Sequence, residues 1–318
     1  MSLIERAAQR LDQLKQASAE PSDEALQQAV ARAAEPAAAK AAPVPEPAPV
    51  SEAQSQAAAA SLPAHASRGV YIDLAMLEAK GMVTPDRPRS AIAEEYRVIK
   101  RPLLRNATDT SEARIENANL IMITSAMPGE GKTFSAINLA VSMAMELDYT
   151  VLLVDADVSR PSVFRQLGLP PERGLMDVLA GDATDLGDVL LRTNIEKLSI
   201  LPAGMPHARA TELLASENMN RLLKQMATRY SDRIIIFDSP PLLVTTESRV
   251  LATHMGQVVV VVEAERTTHA SIKQALATIE SCPIKLMMLN KARRQSHGSY
   301  YGYGYGYGYG ETARENAA

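Results

Sequence analysis

Short, continuous apolar runs recur through the middle of the chain, each followed by residues with helical spacing. The runs are "NLIMIT" (119–124), "TVLLVDA" (150–156), "KLSILPA" (197–203), "RIIIFD" (233–238), "QVVVVVE" (257–263) and "IKLMMLN" (284–290). Each suits a buried strand. Helical segments are expected at about 73–80, 89–105, 132–146, 208–230, 246–255 and 268–280. Continuous apolar strands separated by helices predict an α/β fold, with a mostly parallel sheet covered by helices on both faces. The expected domain is 68–292.

Both ends depart from this pattern. Residues 1–18 hold Ile4, Ala7, Leu11 and Leu14 at spacings of three and four, which predicts a short amphipathic helix. Residues 19–67 are rich in Ala and Pro and offer little to a core, so they are expected to be a disordered linker. Residues 293–318 are expected to be a flexible tail rich in Tyr and Gly. It carries Tyr300, Tyr301, Tyr303, Tyr305, Tyr307 and Tyr309, and glycine at every second place argues against an independent strand. Composition leaves three uses open: an adhesive segment, a strand for a partner, or a row of hydroxyls offered to an enzyme.

Composition narrows the class. The net charge is −4 and no basic stripe is present, so no nucleic-acid partner is expected. The one cysteine, Cys282, excludes an internal disulfide and a cysteine-cluster metal site, and reads as a buried inert thiol. No apolar run reaches the roughly 18–20 residues of a spanning helix. Glu5, Arg6 and Arg10 interrupt any secretory apolar region. The expected location is cytoplasmic, with any membrane contact peripheral or through a partner.

The chemistry sits at strand ends. Between the first run and its helix lies "SAMPGEGKT" (125–133), a P-loop pattern with Ala126 where the strict rule has its first glycine. The expected nucleotide cradle comprises Ala126, Met127, Pro128, Gly129, Glu130, Gly131, Lys132, Thr133 and Phe134. Its backbone N–H groups and the helix N-terminus favour phosphate. Lys132 is placed to reach the β- and γ-phosphates and the Thr133 hydroxyl to ligate Mg²⁺. The second run ends in "VDADVSRP", with Asp155 and Asp157, and the fourth in "FDSPP", with Asp238. Ligands bind outside the carboxyl ends of parallel strands, so all three aspartates are expected at the P-loop rim. Two carboxylates there can organise Mg²⁺, and another can orient a hydroxyl and take its proton. Asn290 is a candidate reader of the base, but strand-end Asn is also a common turn residue. The fold expected is that of a P-loop NTPase.

These motifs resemble the bacterial tyrosine autokinases (BY-kinases) of exopolysaccharide systems, through "SAMPGEGKT", "VLLVDADVSRP", "IIIFDSPP" and the tail "SYYGYGYGYGYG". The wording of "AEEYRVIKRPLLRNA", "HARATELLAS" and "SPPLLVTTESRVLATHMGQ" is nearest to the exosortase-associated (XrtA-type) autokinase. The resemblance implies an ATP- and Mg²⁺-dependent kinase that phosphorylates its own tail tyrosines between subunits and controls exopolysaccharide synthesis or export. Asp155 would activate the incoming tyrosine, Asp157 support metal and phosphates, and Asp238 hold Mg²⁺ through water. The family's Glu-x-x-Arg-x-x-Arg helix, which assembles ring-like oligomers, reads here Glu94, Arg97, Lys100, with Lys for the last Arg. Ser159 stands where many relatives have Arg, and Arg160 follows. The implied partners are further copies of the chain, an inner-membrane chain-length (co-polymerase) activator and a cognate tyrosine phosphatase. The alternative is a Min/Par-type switch ATPase, whose early loop lysine would fall at Met127.

Overall fold

The computed structural model describes residues 68–111, 114–183, 185–229 and 233–293. The helix expected over 1–18, the linker over 19–67 and the tyrosines of the tail lie outside the described residues.

The six apolar runs form strands, joined by two short ones that carry no periodic signal. In chain order the strands are β1 (Gly69–Val70), β2 (Leu120–Ser125), β3 (Thr150–Asp155), β4 (Leu191–Thr193), β5 (Leu198–Leu201), β6 (Arg233–Asp238), β7 (Gln257–Glu263) and β8 (Ile284–Asn290). They make an eight-stranded sheet in the order β1-β4-β5-β3-β6-β2-β7-β8. Every pairing is parallel except β4 with β5.

The helices are α1 (Leu74–Ala79), α2 (Ala91–Ala107), α3 (Lys132–Ala144), α4 (Val163–Leu167), α5 (Leu175–Ala180), α6 (Ala210–Leu214), α7 (Glu217–Arg229), α8 (Glu247–Ala252) and α9 (His269–Ala277). The single helix expected over 208–230 is two, α6 and α7. The chain breaks at Ala215–Ser216, and the Ser216 hydroxyl accepts the N–H of Met219 as a cap.

Strand alternation sorts side chains into two cores. Leu120, Met122, Leu152, Val154, Ile235 and Phe237 face one layer, with α5 to α9. Ile121, Ile123, Val151, Leu153, Ile234 and Ile236 face the other, with α1 to α4. This is why the central strands read as unbroken apolar runs. β8, at the sheet edge, differs because one of its faces is uncovered. Leu286 and Met288 pack inward, whereas Met287 and Leu289 are 63% and 65% exposed. Cys282 is buried, and burial raises its thiol pKa.

The parallel strands at the centre bring the carboxyl ends of β2, β3, β6, β7 and β8 to one rim. Asp155 pairs in register with Asp238, and Ile123 with Asp238, so the acidic strand ends sit beside the P-loop strand.

Candidate active site

The chain turns from β2 into α3 through two glycines at positive φ, Gly129 (88°) and Gly131 (100°). At Gly131 glycine is required twice. The backbone is left-handed, and a Cβ would lie 2.0 Å from Asn290 Nδ2. Ala126 is tolerated in the glycine position of the pattern because its methyl is fully buried in the core. The outer side of the loop is braced. Glu130 is buried and accepts the N–H of Met127 at 2.9 Å and the hydroxyl of Thr267. Asn290 Nδ2 donates to the Glu130 carbonyl at 2.9 Å.

A cavity of about 520 Å³ opens on the inner side. Its walls include Pro128, Gly129, Gly131, Lys132, Thr133 and Phe134 of the expected cradle. Asp157, Ser159 and Arg160 face it from the loop after β3, and Pro240 and Pro241 from the loop after β6. Of the residues expected at the nucleotide, Ala126, Met127, Glu130 and Asn290 are not on this wall. Asn290 instead holds the P-loop backbone. The cavity wall does include Arg165 of α4, which motif reading did not single out.

Lys132 Nζ lies 2.7 Å from Asp157 Oδ2 and 3.7 Å from Asp238 Oδ1. Thr133 Oγ1 donates to Asp238 Oδ2 at 2.7 Å, so its 2.7 Å contact with Ser162 Oγ is donated by the serine. Asp155 sits behind the wall. Its Oδ2 accepts the N–H groups of Ser162 and Val163, both at 3.0 Å, where it caps the start of α4. Burial raises the Asp155 pKa to about 7, with the charge of Asp238 adding and those N–H groups opposing. Burial likewise raises Asp238 to about 6, against the pull of Lys132 and Thr133. Burial works to lower the Lys132 pKa, but the surrounding carboxylates win and hold it raised.

The donor set fits Mg²⁺. Asp238 Oδ1 is buried without a hydrogen-bond partner, an acceptor that a cation or its water would satisfy. Among the described residues no three acidic, His or Cys groups are arranged to hold a cation alone. Mg²⁺ commonly takes one or two carboxylates and completes its shell with phosphate oxygens and water. Thr133, Asp157 and Asp238 are the residues that would hold it. Ser162 was missed, although its place after "SRP" at a helix start is a signal that could have found it.

These shifts make stability depend on pH. A buried Asp with a raised pKa stays protonated in the fold at pH values where it is ionised in the unfolded chain. The folded state then binds more protons, and stability falls as pH rises. The contribution is full below about pH 4 and is lost as pH climbs through 6 to 7. The melting midpoint of nucleotide-free protein should therefore fall from about pH 5 to about pH 8. Asp155→Asn keeps an acceptor for Ser162 and Val163 and should flatten the trend. A wild-type midpoint that climbs over this range would refute the assignment.

Comparison with known proteins identifies the family. A profile of the AAA domain matches residues 118–291. The tyrosine-protein kinase YwqD of Bacillus subtilis is 31% identical over 228 residues, covering 70% of this chain and 92% of that protein. The chain belongs to the bacterial tyrosine-protein kinase family. The kinase domain of Escherichia coli tyrosine kinase ETK superposes with a TM-score of 0.59 at 28% identity, covering 70% of this chain and 84% of that one. EpsB of Ralstonia nicotianae, named a putative tyrosine-protein kinase, is 30% identical, and the match spans 27% of its length. The central P-loop NTPase fold of this kinase-family chain is thus shared with solved kinase domains.

The positions for which the resemblance implied a role in oligomerisation, Glu94, Arg97 and Lys100, lie on α2 but do not share one environment. Glu94 and Arg97 are ion-paired near the surface, and Arg97 also donates to the Pro88 carbonyl at 2.8 Å. Lys100 is buried instead. Its ammonium donates to the Ser142 carbonyl and lies 2.9 Å from Glu146, at the end of α3. Burial lowers its pKa, opposed by Glu146. Lys100 therefore ties α2 to α3 within one subunit, and Val98, 75% exposed, is the apolar group that α2 offers outward.

Proposed function

We propose that the chain is an ATP-dependent protein-tyrosine autokinase that phosphorylates its own C-terminal tyrosines between subunits and so controls exopolysaccharide synthesis or export. The observation that carries this reading is the set of Lys132, Thr133, Asp157 and Asp238 joined by short contacts beside one cavity at the strand-end rim. In the reaction the phenolic oxygen of a tyrosine forms a bond to the γ-phosphorus. The bond to the β,γ-bridging oxygen breaks, ADP leaves, and the phenolic proton passes to carboxylate. Lys132 stabilises the charge that gathers on the phosphoryl oxygens, and the P-loop fixes the triphosphate. Mg²⁺, when bound, neutralises charge on the β- and γ-phosphates.

We assign the proton to the carboxylates of Asp155 and Asp157 together rather than to Asp155 alone. Asp157 is on the wall, while Asp155 lies behind it with its pKa raised to about 7 by burial. The tail supplies the acceptors. Glycine beside each tyrosine adds little bulk to a segment entering a neighbour's site, and each phosphate adds roughly −1.5 to −2 charges. Assembly through α2 would use Glu94, Arg97 and Val98, with Lys100 acting from within.

The exopolysaccharide setting and the XrtA-type assignment both rest on the sequence resemblance. A solved relative is described as the chimerical protein CapA2B2, 28% identical with a TM-score of 0.55. In the described residues no helix is long and apolar enough to cross a membrane. A separate inner-membrane activator and a phosphatase to reset the tail complete the proposal.

Incubation with ATP and Mg²⁺ should add phosphate in successive 80-Da steps in an intact-mass spectrum, an expected increment of about 80 Da per phosphate. A chain truncated before Tyr300 should add none. ADP release without added mass would sink the kinase reading in favour of a nucleotide switch.

A further inference from the structure

The outer side of the P-loop is held by the end of β8 and the residue after it, Lys291. Lys291 Nζ donates to the Gly129 carbonyl at 2.7 Å and lies 3.2 Å from Glu263 Oε2 at the end of β7. The Glu263 N–H donates to the Thr267 hydroxyl at 3.0 Å, and that hydroxyl donates to the Glu130 carboxylate. The Asn290 carbonyl takes the N–H of Ala264 at 2.9 Å, while its amide holds the Glu130 carbonyl. The bonds close a circuit: P-loop, Thr267, Glu263, Lys291 and back to the P-loop.

Peptide planarity gives the circuit its consequence. In a trans peptide the C=O of one residue and the N–H of the next point in opposite directions. Donors on the Gly129 and Glu130 carbonyls therefore turn the N–H groups of Glu130 and Gly131 away from the brace, towards the side where Gly129 and Gly131 line the cavity. Lys291 itself sits at φ 58°, uncommon for a residue with a side chain. Its side chain is 45% exposed, so the core does not need it. Such a backbone persists where surrounding bonds fix it.

We propose that Lys291 is a positioning residue that couples phosphate binding at the P-loop to the root of the tyrosine-rich segment. The inference rests on the nucleotide-binding part of the reading above, not on the kinase step. Tyr300 follows Lys291 by nine residues, so the acceptor segment is attached directly beyond the pin. Coupling is reciprocal. If the pin favours the cradle, bound nucleotide must in turn hold the root.

The test uses the full chain, with ADP and Mg²⁺ as the probe. Lys291→Met should weaken ADP binding about tenfold, as loss of a hydrogen bond from a charged donor implies, with an unchanged melting midpoint. Lys291→Arg, which can still reach the Gly129 carbonyl and Glu263, should recover most of the affinity. Hydrogen exchange in peptides spanning 285–299 should slow on adding ADP in the wild type and not in Lys291→Met. Wild-type ADP affinity in Lys291→Met, or protection of the root that survives the substitution, overturns the proposal. An equal fall in melting midpoint for Met and Arg would make the contact merely structural and also overturn it. A wild-type chain that does not bind ADP with Mg²⁺ removes the nucleotide reading and the inference together.

Discussion

Lys132→Met should reduce phosphate incorporation by about 10³-fold, the loss typical when a charge-stabilising donor is removed from a site. Two effects combine. The ammonium is the cation expected at the β- and γ-phosphates, and transfer of a phosphoryl group is largely positioning and charge stabilisation. It is also the neutralising partner of Asp157 and Asp238, with only 11% of its side chain exposed and 7% and 0% of theirs. Removing one member of a buried ion pair commonly costs about 3 kcal/mol, because the remaining charge is uncompensated. The cost should depend on pH. Lys132 lowers the pKa of Asp238, so Met lets that carboxyl take up a proton more readily. The variant should thus be closer to wild-type stability near pH 5 than near pH 8, conditions that bracket the raised carboxyl pKa values. Single-turnover mass spectra and urea titrations at both pH values separate the two effects. Activity within tenfold of wild type would remove Lys132 from the phosphate-binding role.

The parts of this site that were legible are those whose signals are local. Lys132 and Thr133 belong to one contiguous motif, Asp155 and Asp238 each end an apolar run, and Asp157 follows Asp155 by two places. A parallel sheet then delivers those ends to one rim without further information. The central strands were equally legible, because burial on both faces leaves no polar position to break the run. β8 was read as equally buried, but an apolar run does not disclose whether both of its faces are covered. Met287 and Leu289 are exposed because the face of β8 that they share is uncovered. β1 and β4 are too short to show any period, and so the antiparallel pairing of β4 was invisible.

Long-range partners were the main loss. Glu130 meets Thr267 across 137 positions and Lys291 meets Gly129 across 162. No spacing rule joins such pairs. Lys100 is a related case. The motif joins it to Glu94 and Arg97, yet on a helical projection it falls on the buried stripe of Ala93, Tyr96 and Leu103, where it meets Ser142 and Glu146. A charged residue on that stripe discloses no partner until the second helix is placed. Asn290 carried two open readings, base contact and turn. Its observed bond to the Glu130 carbonyl adds a third use, and an Asn amide has a second N–H and an oxygen still available for a ligand.

Gly131→Ala should carry the largest penalty of any single-methyl change in the P-loop. Alanine at φ 100° is strained, by roughly 1–2 kcal/mol for a residue in left-handed space. Its methyl would also stand 2.0 Å from Asn290 Nδ2 and 3.3 Å from Asn290 Cγ, so that side chain must swing away and release the Glu130 carbonyl. That bond is worth about 1 kcal/mol. The loop can keep its shape and lose stability, or relax and lose affinity, because ADP then has to restore the strained form. The two losses together should reach about 2–3 kcal/mol, up to about a hundredfold in affinity if binding carries all of it. Asn290→Ala clears the clash but not the backbone strain. The double variant should therefore recover part of the loss, with a coupling energy that shows as non-additivity in a double-mutant cycle. Calorimetric ADP affinity and urea stability measured on all four chains decide the matter. If Gly131→Ala matches wild type in both, neither the left-handed backbone nor the Asn290 contact is what keeps glycine in that position.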